Sequence, residues 1–109
     1  MNTQSGNVRA RFAPGAPQVE VLVSLVLVLG ARAGLSVEQI DDLAMALEML
    51  VRHQPLLARE AVLEMHDGRL EVSLSNIDRE WLHEREPMLA VLVSEVDEAR
   101  SGVRLRVVA

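Results

Sequence analysis

The hydrophobic pattern changes period along the chain, and each change marks an element. Val8 to Phe12, VRARF, alternates apolar and basic residues, the period of a half-buried strand. Ala13 to Pro17, APGAP, breaks that pattern, and its two prolines suit a turn entering a helix. From Gln18 to about Ala33 the run is apolar on nearly every face, so period alone fits a buried helix or a buried strand. Length decides for a helix: sixteen residues exceed an ordinary strand, and Gly34 stands where a C-terminal helix glycine belongs. Ser36, with Glu38 and Gln39 in the turn that follows, makes a capping-box-like start for a second helix. Ile40, Leu43, Ala44, Leu47, Leu50 and Val51 keep the three-and-four spacing of a core stripe, and Pro55 stops it.

The second half of the chain reads as hairpins. Glu60 to His66 and Arg69 to Ser75 alternate on either side of Asp67-Gly68, a strong two-residue turn signal. Asn76 to Glu86 is polar and charged and reads as a loop. Pro87 then opens a short apolar helix, Met88 to about Ser94. Val96 to Arg100 and Val103 to Val108 flank Ser101-Gly102 as a second hairpin. The resulting order is strand, helix, helix, two strands, helix, two strands. It predicts an α+β two-layer sandwich, a mostly antiparallel sheet covered on one face by helices. Residues 8–109 form one domain in this reading, and Met1 to Asn7 a disordered tail.

Composition narrows the function classes. A net charge of −5 gives no basic face for phosphate backbones, and with Trp81 and Phe12 as the aromatic residues there is no stacking platform for single strands. Nucleic acid is therefore not the expected partner. Without cysteine there is no disulfide framework, thiolate zinc site or cysteine nucleophile, which fits a cytoplasmic protein. Val21 to Ala31, VLVSLVLVLGA, is too short to span a bilayer and is bounded by Glu20 and Arg32, so no membrane role is expected. No P-loop, dinucleotide fingerprint or zinc motif is present. Ser24, Ser75 and Ser94 have no paired base in the sequence, and Asp41-Asp42 reads as charge capping of a helix start. His53, His66 and His83 fall on separate elements, so no metal site is expected from them.

Four stretches, taken in order, carry a resemblance to a known family. VRARFAPGAPQVEVLVSLVLVLGARAGLS looks like a first strand, a proline-marked turn and a first helix. VEQIDDLAMALEMLVRH looks like an acidic-start second helix. HDGRLEVSLSN looks like the strand leading into a glycine-containing box, and PMLAVLVSEVDEARSGVRLRVVA like a last helix, hairpin and terminal strand. Together, from Val8 to Val108, they resemble the histidine-kinase-like ATPase (GHKL, or Bergerat) fold. The likeness is closest to its small branch, the anti-sigma factors that double as serine-protein kinases in bacterial partner switching.

The resemblance also locates departures. Anchored on Asp42-Leu43 and His53, the family's glutamate, which assists phosphoryl transfer, falls on Met45, and its magnesium-holding asparagine falls on Met49. Spaced four apart, both project from one helix face, and methionine offers no hard oxygen for magnesium. Placing Glu48 in the glutamate's position would shift it off the helix phase and leave Arg52 where the asparagine belongs. The adenine-reading aspartate and paired glycines fall on Asn76, Asp78 and Glu80, where carboxylates would repel phosphate. The lid segment, Asn76 to Pro87, is short, and HEREPMLAVLV contains no glycine.

The resemblance with these departures implies a degenerate regulatory domain, a pseudo-kinase with no catalytic residues and no ATP or magnesium cofactor. It would act in signalling and transcription regulation by binding a protein such as a sigma factor or an antagonist. The alternatives are an active ATP-binding serine-protein kinase and a dimerisation or scaffold module. Met45 and Met49 are expected to be largely buried and to close the former pocket. The first helix is expected to leave one apolar stripe uncovered, with Leu22, Leu25, Val26 and Leu29 as possible interface residues and a homodimer as the simplest closed assembly.

Overall fold

A computed structural model describes residues 6–52 and 58–109. Its elements run β1 (Gly6–Phe12), α1 (Gln18–Ala33), α2 (Val37–Val51), β2 (Arg59–His66), β3 (Arg69–Ser75), α3 (Arg79–Leu92), β4 (Glu95–Ala99) and β5 (Gly102–Val108). The strands form one sheet in the order β1-β2-β3-β5-β4, with every neighbouring pair antiparallel. The fold is α+β. β2 shows the cause most plainly: Ala61, Leu63 and Met65 are buried, while Glu60, Val62, Glu64 and His66 between them are half-buried. One face of the sheet meets the helices and the other carries charge.

The helix signals act as read. Gly34 adopts φ 86° at the end of α1, and its N–H reaches back to the Ala31 carbonyl. Ser36 Oγ accepts from the Gln39 N–H at 3.1 Å, and Gln39 Oε1 accepts from the Ser36 N–H at 3.0 Å. Gln39 also donates through Nε2 to the Val108 carbonyl at 2.8 Å, fastening the start of α2 to the last strand. Leu22, Val26 and Leu29 of α1 enter the core with Leu43, Leu47 and Leu50 of α2 and the inward residues of β2, β3 and β5.

Several expectations are corrected. β1 begins at Gly6, so Gly6 and Asn7 belong to the sheet and not to a tail; residues 1–5, His53 and Pro55 lie outside the described residues. In α2 the buried alanine is Ala46, with Ala44 half-buried. The largest difference is α3. Asn76 to Glu86 is not a loop, and the helix does not start at Pro87: it runs from Arg79 to Leu92 with Pro87 inside it. Asp78 caps it by accepting from the Trp81 N–H at 3.2 Å. Leu82 and Leu89, two turns apart, are buried on one face and hold the helix down across the proline. The second hairpin turns at Arg100-Ser101, and Gly102 already pairs as the first residue of β5.

Candidate functional site

The α2 positions that the family resemblance marks as catalytic lie on the side of the helix nearest α3. Met49 is half-buried against the core, but Met45 is 53 % exposed, which corrects the expectation that both are largely buried. Met45 lies outside the buried stripe because α3 meets α2 near its C-terminal end. Trp81 marks that contact: its Nε1 donates to the Met49 carbonyl, one of the last of α2, at 3.3 Å. Arg85 stacks over the Trp81 ring, 3.1 Å from its centroid, and donates to the Trp81 carbonyl at 3.1 Å. Met88, one turn further along α3, is 59 % exposed. Met49, Glu84, Arg85 and Met88 line a shallow hollow of about 400 Å³.

Asn76, Asp78 and Glu80 do not join Met49 in that hollow. Asn76 adopts the left-handed conformation, φ 58°, and its Nδ2 donates to the Ala58 carbonyl at 2.8 Å. Its side chain is thereby committed to fastening the start of β2. Asp78 is the cap of α3, and Glu80 is exposed in the first turn of that helix. Sequence reasoning missed Trp81 and Arg85 because it read their segment as a loop, and it placed Met88 at the start of a separate short helix. The signal was present: they recur at i, i+4 and i+7 behind a capping aspartate.

On α1, three of the four residues expected at an interface are interior. Leu22 and Val26 are fully buried and Leu29 nearly so, which leaves Leu25, half-buried, as the one of the four that reaches the surface. They lie on the helix side that faces β2 and β3. The apolar side chains left in solvent are Val21, Leu27 and Val28.

The charged groups are paired across elements. Glu71 is nearly buried; burial pushes its carboxyl up, but Arg106 hydrogen-bonded at 2.7 Å, with Arg69 and Arg104 nearby, holds it below its ordinary value. His83 on α3 meets Glu98 on β4 at 2.9 Å, and Arg79 meets the same carboxylate at 2.8 Å. Among the described residues, two groupings bring possible metal-ligand atoms within 4.8 Å of one another, Glu64 with His66 and Glu71, and His83 with Glu86 and Glu98. Arg106 already neutralises Glu71 and Arg79 already neutralises Glu98, so each grouping holds its own cation.

The His83–Glu98 contact makes a pH prediction. The hydrogen bond to Glu98, aided by the charges of Glu98 and Glu86 and opposed by desolvation and Arg79, raises the His83 pKa above its ordinary value. A raised folded-state pKa contributes stability that is present below the unfolded value and is lost as pH rises through the folded value. A proton NMR titration should give His83 a midpoint above that of an unfolded histidine, and Glu98→Gln should lower it. An unchanged midpoint in Glu98→Gln would remove the contact as the cause.

No protein-family model matches the chain, and no curated protein matches it significantly.

Proposed function

We propose that the chain is a regulatory protein-binding domain of the histidine-kinase-like ATPase type, a degenerate relative of anti-sigma factors that works without nucleotide. One observation carries the reading: the positions that would handle ATP are occupied by side chains with other tasks. Met45 and Met49 supply apolar surface, Asn76 holds the Ala58 carbonyl, and Asp78 caps α3. The stretch where a glycine-rich lid would stand forms the regular helix α3, without glycine. A polyanionic ligand needs several of these partners at once, and losing them together leaves little to hold it.

This side of the domain offers a methionine surface edged by Glu84 and Arg85. Met45 and Met88 are exposed, and Met49 lines the hollow between α2 and α3. Methionine adapts its shape and polarizes, which suits the capture of an apolar segment of a protein partner. In this reading the partner is a sigma factor or a small antagonist protein, and the domain acts by sequestration, with no phosphoryl transfer.

Calorimetric titration with magnesium-ATP is the direct test. The expected result is no heat of binding at physiological nucleotide concentration. Micromolar affinity would overturn the reading and favour an active serine-protein kinase.

A further inference from the structure

The methionine surface on α2 and α3 has a charge pattern of its own. Asp41 and Asp42 stand one turn before Met45 on the same side of α2, and Glu80 stands one turn before Glu84 on α3. Arg52 and Arg85, which adjoin the surface, are already engaged. Arg52 pairs with Glu48, and Arg85 lies over the Trp81 ring and pairs with Glu84 at 3.3 Å. Among the described residues, Asp41, Asp42 and Glu80 have no ion pair. The rim of the apolar surface therefore carries negative charge without a counter-charge.

Resting on the protein-binding reading above, we propose that this surface takes a basic amphipathic helix of the partner. The apolar stripe of that helix lies on Met45, Met49 and Met88, and its Lys or Arg side chains meet Asp41, Asp42 and Glu80. α2 and α3 offer side chains and no strand edge, because backbone groups inside a helix are bonded within it. An extended segment laid there would leave its own N–H and C=O groups without partners, whereas a helix arrives with them satisfied. Methionine side chains re-form around differing apolar residues, so the segment is read by its spacing and charge more than by its exact sequence. A second copy of the chain does not fit. Its α2 and α3 bring the same carboxylates, and the exposed strip of α1 offers one basic residue, Arg32, at its end.

Fluorescence anisotropy of labelled model peptides, titrated with the full chain, tests this, with circular dichroism as the check on folding. One peptide places Leu at three-and-four spacing among Lys, a second scrambles the same residues out of that period, and a third replaces Lys with Glu. The first should bind with a Kd on the order of micromolar, and the other two at least about tenfold more weakly. Raising salt from about 50 to about 500 mM should weaken binding of the first about tenfold. Met45→Ser combined with Met88→Ser, both at exposed positions, should raise its Kd about tenfold. Asp41→Asn combined with Asp42→Asn should raise the Kd and flatten the salt dependence, and Leu27→Ser on α1 should bind as the wild type does. Equal binding of the scrambled peptide would overturn the proposal, as would affinity that survives the loss of Met45 and Met88. If a double variant fails to fold, the peptide comparison and the salt series decide alone. Preference for the Glu peptide would overturn the basic helix and leave the protein-binding reading standing, as would no binding of any peptide together with no heat from magnesium-ATP. Heat of binding from magnesium-ATP would instead overturn the reading on which the proposal rests.

Discussion

Replacing Arg59 with methionine is expected to destabilise the domain by about 3–5 kcal/mol, because it strips hydrogen bonds from one buried and two part-buried acceptors at once. Arg59 is 3 % exposed at the start of β2. Its Nε donates to the Ser75 carbonyl at 3.0 Å, its Nη2 to the Asn76 carbonyl at 2.9 Å, and its Nη1 to Oε1 of the buried Gln18 at 2.5 Å. One guanidinium thus joins the first residue of α1, the first of β2 and the end of β3. Burial pushes its pKa down, although arginine stays charged. Methionine keeps the apolar stem and removes every donor, so two backbone carbonyls and an amide oxygen lose a partner. Arg59→Lys should recover only part of the loss, since an ammonium cannot reproduce the planar fork. Urea denaturation monitored at Trp81 measures the difference, and an Arg59→Met protein within about 1 kcal/mol of wild type would show that the network contributes little.

Gly102→Ala is expected to be comparably damaging for a different reason. A Cβ on Gly102 would stand 1.9 Å from the Leu74 carbonyl oxygen, 2.9 Å from its carbonyl carbon and 3.0 Å from the Ser75 Cα. All three are backbone atoms of β3, so no flexible side chain can swing aside. Gly102 is paired with Ser75 on one side and Ala99 on the other, and β5 cannot retreat from β3 without disturbing the sheet at its middle. The expected cost is about 3 kcal/mol, or roughly 12–24 °C in Tm for a domain of this size. Gly68→Ala is the control. Its φ of +79° strains alanine, but a Cβ there meets nothing within 4 Å, and the expected cost is about 1 kcal/mol. A Gly102→Ala protein that melts no lower than Gly68→Ala would refute the close-approach explanation.

The two glycines show how much of the chain was legible. Asp67-Gly68 declares its turn locally, because the positive φ is a property of that residue and its neighbours. Gly102 looked like the same kind of signal beside Ser101. Its true constraint is contact with β3, which lies elsewhere in the sequence and leaves no local mark. Arg59 is similar. The alternation as read starts at Glu60 and leaves Arg59 outside the strand, and only the approach of Gln18 and Asn76 makes it interior. At the candidate site, the methionines at 45 and 49 and the absence of glycine between Asn76 and Pro87 were visible in the sequence. The hollow was not, because the pattern starts a helix only at Pro87, whereas α3 begins at Arg79 and its buried Leu82 and Leu89 carry it through the proline.

By itself the sequence determined what depends on neighbours along the chain. That includes the alternation of β2 and β3, the capping of α2 by Ser36 and Gln39, the left-handed glycine ending α1, and hence the α+β order. These follow from local backbone geometry and from periods of two and about 3.6 residues, which any few turns of sequence display. Only the tertiary structure decided which side of α1 is interior, how far Met45 emerges from the core, and how Arg59 and Gly102 are held. Each of these depends on where a distant element comes to rest. α1 is the plainest case: it is apolar on nearly every side, and α2 and the sheet together, by covering Leu22, Val26 and Leu29, leave Val21, Leu27 and Val28 to the solvent.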